Sequence, residues 1–272
     1  MKTKIHKFAL PILLAIILAI LVIDYQCIIK KIMNKNQFAN QVVQIADANR
    51  EPIFKVSKII KYSSAEAIDN TIEQNLQDLS ICQYSDLAIY IDNLTDELTE
   101  KNSVKELYID NFKIDVAYKY GTPTLYYKNP LEISKFRMVA EKEIQDRLQY
   151  NIIYTNQQNE QNDYETPTFF ADCSNPITIG FINKNILSNY QVTKENGLVS
   201  FDGRIFNQMD MNLKELSPKI SFTIHLTNLQ NEKFVCNMTA DLQLETNEGS
   251  VKSGYIIQIT DESEYYRFFK EG

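Results

Sequence analysis

The stretch KISFTIHLTNLQNEKFVCNMTADLQL, Lys219–Leu244, decides the fold. Phe222, Ile224 and Leu226 alternate with Thr223, His225 and Thr227. A period of two places the first three on one face of a strand and the others on the opposite face. The run KFVCNMTADLQL comes after NLQN at 228–231, a cluster of turn residues between two strand-like runs. That arrangement predicts a β-hairpin. PITIGFINKNI, GLVSFDGRIF and VKSGYIIQI are further strand candidates, spaced at roughly ten residues, which points to an antiparallel sandwich or jelly roll.

The same texture begins after Pro52. FKVSKIIKY carries Phe54, Val56, Ile60 and Tyr62, and LAIYI (87–91), KELYIDNFKI (105–114), TLYYK (124–128) and NIIYT (151–155) continue it as short β-like runs. The tetrapeptide YIDN occurs twice, at Tyr90–Asn93 and Tyr108–Asn111. After the first copy the chain turns polar, so Asp92 and Asn93 read as a strand end. After the second the strand pattern resumes through Phe112 and Ile114, so Asp110 and Asn111 lie inside a longer strand or at a bulge in it. The two copies thus read as two strands, neighbours joined by the 94–104 loop, and not as a duplicated site.

EISKFRMVAEKEIQDRLQY, 132–150, is rich in helix formers and predicts a helix. The polar run 156–168 predicts a long loop or linker. The tail SEYYRFFKEG predicts a short helical turn. The expected organisation is a leader over 1–7, a transmembrane anchor over 8–29 and a stalk helix over 30–50. An N-terminal β-rich part over 51–155, the 156–168 loop and a C-terminal antiparallel part over 169–272 complete it. The fold class is mainly β with the N-terminal helix and one or two further helices; an α+β fold is the alternative.

The anchor rests on FALPILLAIILAILVI, a charge-free run over 8–23 behind Lys2, Lys4 and Lys7. A spanning helix wants about 20 apolar residues, so the run must recruit residues beyond Asp24. A cleaved signal peptide is the rival reading, but DYQCIIKKIMNK after the run has no small-residue cleavage site. Flanking lysines are nearly balanced, and the short basic leader favours a body outside the cell. The opposite, cytoplasmic orientation fits unpaired cysteines. The four cysteines, Cys27, Cys82, Cys173 and Cys236, form no dense framework, and leave room for one bridge among the last three.

Net charge is −7, and the acidic body argues against nucleic acid as a partner. With 7 glycines and no Gly-rich motif, a phosphate-cradling loop is hard to build, and no cofactor is expected. Of the 2 histidines, His6 is in the leader and His225 faces outward on a strand, so no metal site is expected. NLTDELTE (93–100) clusters Asp96, Glu97 and Glu100 without the glycine a calcium loop needs. Tyrosine is abundant, at 16, and tyrosine suits recognition surfaces. Tyr90, Tyr108, Tyr118 and Tyr126 are the candidate interaction residues.

In KYSSAEAIDN, LQDLSICQYSDLAIYIDN, VKELYIDNFKI and YKNPLEISKF the chain resembles a group of single-pass membrane proteins from clostridia-like low-GC Gram-positive bacteria. FINKNI, FDGRIF and ISFTIHL are similar too. The resemblance implies anchoring and source, and transfers no catalytic residue. The expected function is a membrane-anchored, extracytoplasmic, non-catalytic protein of the cell envelope. Its partners would be the lipid bilayer, through the N-terminal helix, and an envelope protein or wall polymer. The alternative is a membrane-tethered hydrolase working through an Asp/Glu pair.

Overall fold

Period-two patterning dominates the chain, and strands result from it. The computed structural model describes residues 5–48, 52–69, 76–93, 97–115, 121–130, 142–154, 166–172, 176–193, 218–242, 246–247, 250–251, 255–259 and 266–271. Two units are present, 1–51 with residue 272, and Pro52–Glu271. The first contains α1, Ile5–Ala48, one helix running through the segments expected as anchor and stalk. Among the described residues no helix is long and apolar enough to cross a membrane. The side chains of residues 5–17, which hold much of the apolar run, fall outside those described.

The second unit is built of β1 (Phe54–Asp69), β2 (Leu76–Asn93), β3 (Val104–Asp115), β4 (Thr122–Tyr127), β5 (Lys142–Glu143), β6 (Leu148–Ile153), β7 (Thr168–Phe170), β8 (Pro176–Thr193), β9 (Lys219–Asn228), β10 (Lys233–Asp241), β11 (Thr246–Asn247), β12 (Ser250–Val251), β13 (Tyr255–Ile259) and β14 (Phe269–Lys270). Sheet A has the order β13-β1-β2-β8-β4-β5, and sheet B the order β14-β10-β9-β3-β6-β7. All described pairings are antiparallel except β6 with β7. The chain is mainly β, as its alternation predicts. Both sheets mix strands from before and after the 156–168 segment: β2 pairs with β8, and β3 with β9.

One core lies between the sheets. Ile59, Leu87, Ile89, Ile177 and Phe181 enter it from sheet A, and Leu107, Ile109, Phe222, Ile224 and Leu226 from sheet B. The sheets touch through aromatic rings: Phe54 meets Phe234 edge-on at 5.3 Å, and Tyr127 meets Tyr150 at 6.2 Å. Cys82 and Cys236 are buried free thiols, and burial pushes the Cys236 thiol up to about 12. Cys173 lies outside the described residues.

The two YIDN copies differ as expected. β2 ends at Asn93, whereas the second copy sits within β3, where pairing with β9 slips between Asp110 and Lys113. Asn111 takes the left-handed conformation there, at φ 55°. Asn185 in β8 and Asn231 in the β9–β10 hairpin do the same, at φ 55° and 62°. In a chain with so few glycines, asparagine's short polar side chain makes it the residue best able to occupy such positions. The strands are not neighbours, however. β2 belongs to sheet A and β3 to sheet B, so the two copies lie in different sheets.

Two helix expectations fail on the described residues. Lys142–Tyr150 is not helical: it holds β5, a turn and the start of β6. Leu148 and Tyr150 are buried and alternate with exposed Gln149, so period two wins over helix propensity once β3 offers a pairing edge. Residues 132–141 lie outside the described set. In the tail, residues 266–271 contain β14 instead of a helical turn, because this segment closes a corner between the sheets. Arg267 bridges to Lys55 at the start of β1, while β14 pairs with β10.

That corner is fastened by charge. Asn228, fully buried, donates through Nδ2 to the Lys101 carbonyl and to Glu232, and its Oδ1 accepts the Glu232 N–H. Lys270 Nζ lies 2.6 Å from Glu232 Oε1. The hydrogen bond from Lys270, then that from Asn228, holds the Glu232 carboxyl below its ordinary 4.5. A lowered folded pKa contributes stability that is present above 4.5 and lost as pH falls through the folded value. Glu232→Gln should therefore melt with less loss of stability between about pH 5 and about pH 2.5, the difference being no more than about 1 kcal/mol. Thermal melts across that range check it; parallel curves for the two proteins contradict it.

Candidate functional site

The outward residues of sheet B form the candidate site. Alternation in β9 turns Ser221, Thr223, His225 and Thr227 outward, and alternation in β3 does the same for Glu106, Tyr108 and Asp110, all of them half-buried. Register sets Tyr108 directly opposite His225. Their rings stack at 4.4 Å between centroids, with 9° between planes. On Tyr108 the Arg147 guanidinium lies 3.5 Å from the ring centroid. A cation over an aromatic face at an exposed site is worth about 0.5–1 kcal/mol.

Polar neighbours fix both ends of this group. His225 Nε2 lies 2.9 Å from Asp110 Oδ1, the two side chains 19% and 29% exposed. Arg147 donates to Gln149 Oε1 at 2.8 Å and lies 3.6 Å from Glu106. Gln149 in turn donates to the Leu107 carbonyl. Burial raises the Tyr108 hydroxyl, and the Arg147 charge opposes it. Toward β10, Thr223 donates to Asn237 at 2.9 Å, and Ser221 and Thr239 share a 3.0 Å contact. The result is a face of stacked rings and polar side chains paired across strands. Alternation in β9 says only that His225 faces outward; its partners come from β3 and cannot be read from its own strand.

The candidate tyrosines do not share one surface. Tyr90 and Tyr126 lie in sheet A, with Tyr90 beneath Lys58 Nζ at 4.4 Å. Tyr108 lies in sheet B, and Tyr118 falls outside the described residues. The acidic loop is closed by the protein's own amide: Asn102 Oδ1 accepts the Thr99 N–H at 2.6 Å, and its Nδ2 donates to the Glu97 carbonyl at 2.7 Å. Among the described residues no group of three or more His, Cys, Asp or Glu is placed to hold a metal ion.

A second cluster, which local patterning does not reveal, lies in sheet A. Asp86 in β2 and Lys128, just past β4, are both buried, and Lys128 Nζ lies 2.5 Å from Asp86 Oδ1. Gly180 of β8 sits between them in the register, opposite both Asp86 and Tyr126. A Cβ there would come within 2.9 Å of Lys128 Cε and 3.3 Å of Asp86 Oδ1. An isolated glycine inside a strand, as in TIGFI, is the available sequence signal for such a close approach. Thr178 donates to the Lys128 carbonyl, and Lys128 Nζ stands 5.7 Å from the centre of the Tyr84 ring. Burial raises the Asp86 carboxyl above its ordinary range, opposed by the charge and hydrogen bonding of Lys128.

Tyr108→Leu should lower stability by about 1 kcal/mol, since it removes the ring that Arg147 and His225 share. Gly180→Ala should cost about 1–3 kcal/mol, because the buried Lys128 chain has little room to give way. Urea denaturation measures both, and an unchanged midpoint in either variant contradicts the corresponding contact. No family model matches the chain, and no curated protein or solved structure matches it significantly.

Proposed function

We propose that this protein is a membrane-anchored binding protein of the cell envelope. Its β-sandwich body stands outside the cytoplasm and meets a partner through the outer face of sheet B. The observation that carries the reading is the Arg147–Tyr108–His225 stack. Rings and charges are fixed there on a rigid sheet, so little side-chain entropy is lost on contact. Arg147 offers donors, while Asp110 and Glu106 accept. Such a face suits a protein or wall polymer that presents both carboxylates and hydroxyls or amides.

Anchoring is supported by the apolar run over 8–23 and by α1 itself. Val22, Ile23, Ile28, Ile29 and Ile32 are exposed on that helix. Apolar side chains in such number ask for an apolar medium or a partner. The resemblance to single-pass membrane proteins of low-GC Gram-positive bacteria supports the anchoring.

Two measurements test it. The full-length protein should stay with membranes through an alkaline carbonate wash, and protease added to intact cells should digest the body. Photo-crosslinking residues placed in cells at Gln149 or Lys113, on the outer side of sheet B, should form adducts with an envelope component. A residue placed at exposed Lys184 of β8 should not, and Arg147→Ala should weaken the adduct from Gln149. Release by carbonate, a protected body, or equal labelling from both sheets contradicts the proposal.

A further inference from the structure

Asp86 and Lys128 sit in an arrangement that calls for more than an ion pair. Their 2.5 Å separation is shorter than the roughly 2.7–2.9 Å of a charge-assisted N–H···O bond. Both side chains are buried, at 1% and 5% exposure. The Lys128 chain reaches Asp86 by passing over Gly180, where the missing side chain leaves its path open. From these contacts we propose that Lys128 and Asp86 are a modification site, where Lys128 Nζ and Asp86 Cγ become joined by an amide bond that staples β2 to the end of β4 across β8.

The chemistry balances within the pair. A proton passes from the ammonium to the carboxylate, leaving a neutral amine and a carboxylic acid. Burial favours that neutral form, because two desolvated charges are costly to keep. The raised pKa of Asp86 agrees with it. The amine lone pair attacks Cγ, and the N–C bond forms as the carboxyl C–O bond breaks. Two protons leave the nitrogen and acid side with that oxygen as one water molecule. No oxidant, reductant or co-reactant is needed. Proximity replaces activation: an amine held 2.5 Å from an oxygen of the carboxyl group it attacks gains an effective concentration far above that of free groups. The product replaces two buried charges by a neutral amide, and the exclusion of bulk water protects it from hydrolysis.

The consequence is mechanical as well as thermodynamic. β2 and β4 flank β8 in sheet A, so the amide would join β2 covalently to the end of β4 across β8, which hydrogen bonds hold between them. The bond is independent of which partner the protein binds and of which side of a membrane it occupies.

The direct test is the intact mass of the purified, denatured full-length protein. It should fall short of the sequence mass by one water, about 18 Da, and tryptic digestion should miss the cut after Lys128 and yield a peptide linked to the one bearing Asp86. Lys128→Arg should restore the full mass. Asp86→Asn should condense with loss of ammonia, about 17 Da, or remain at full mass, and must not lose water at this position. A wild-type mass equal to the sequence mass, with Lys128 cleaved normally, overturns the proposal. So does a water loss that persists in Lys128→Arg.

Discussion

The contact between Phe54 and Phe234 is one of those through which the two sheets meet face to face and close their shared core. Phe54 opens β1 in sheet A, Phe234 lies near the start of β10 in sheet B, and their rings meet edge to face. Phe268 packs against Phe54 from the closing segment, at 6.3 Å. Neither sheet could bury its apolar face alone, so the alternation in every long strand has meaning only because an opposite face exists. The corner made by Arg267 and β14 and the Asn228 hub both serve that apposition.

The outer faces differ in character. On sheet B they are polar, partly exposed and paired across strands, as in His225 with Asp110 and Thr223 with Asn237. On sheet A, Tyr84, Asp86, Thr178 and Lys128 are buried although they point away from the shared core. One face is thus suited to meeting a partner and the other to internal chemistry. The inner face of sheet A also turns polar at one end, where Ser63 and Ser85 share a 2.8 Å contact and Lys61 donates to the Asp241 carbonyl. The inter-sheet core therefore has a direction, apolar near Phe54 and polar toward Ser63.

Much of this is legible from periodicity. Phe222, Ile224 and Leu226 point inward because strand geometry gives them no alternative, and the unequal YIDN copies can be told apart by the residues after each. The segment over 142–150 misleads because Glu, Lys, Gln and Arg favour helix locally, while the deciding fact, the edge of β3 beside Leu148 and Tyr150, is distant in sequence. The tyrosines illustrate the same limit. Period two says that Tyr90 and Tyr108 leave the core, but not that they leave it on different sheets. The Arg147–Tyr108–His225 stack and the Asp86–Lys128 contact each join residues from separate strands, so they exist only once register is set. Gly180 is the single local trace of the second.

The apposition of the two sheets, to which the Phe54–Phe234 contact belongs, is the claim on which every other assignment rests. A double-mutant cycle on Phe54→Leu and Phe234→Leu, measured by denaturant unfolding, tests it most directly. A coupling energy of about 0.5–1.5 kcal/mol between the two positions is predicted. Strictly additive effects would mean that the rings do not meet, and would contradict the packing of the two sheets.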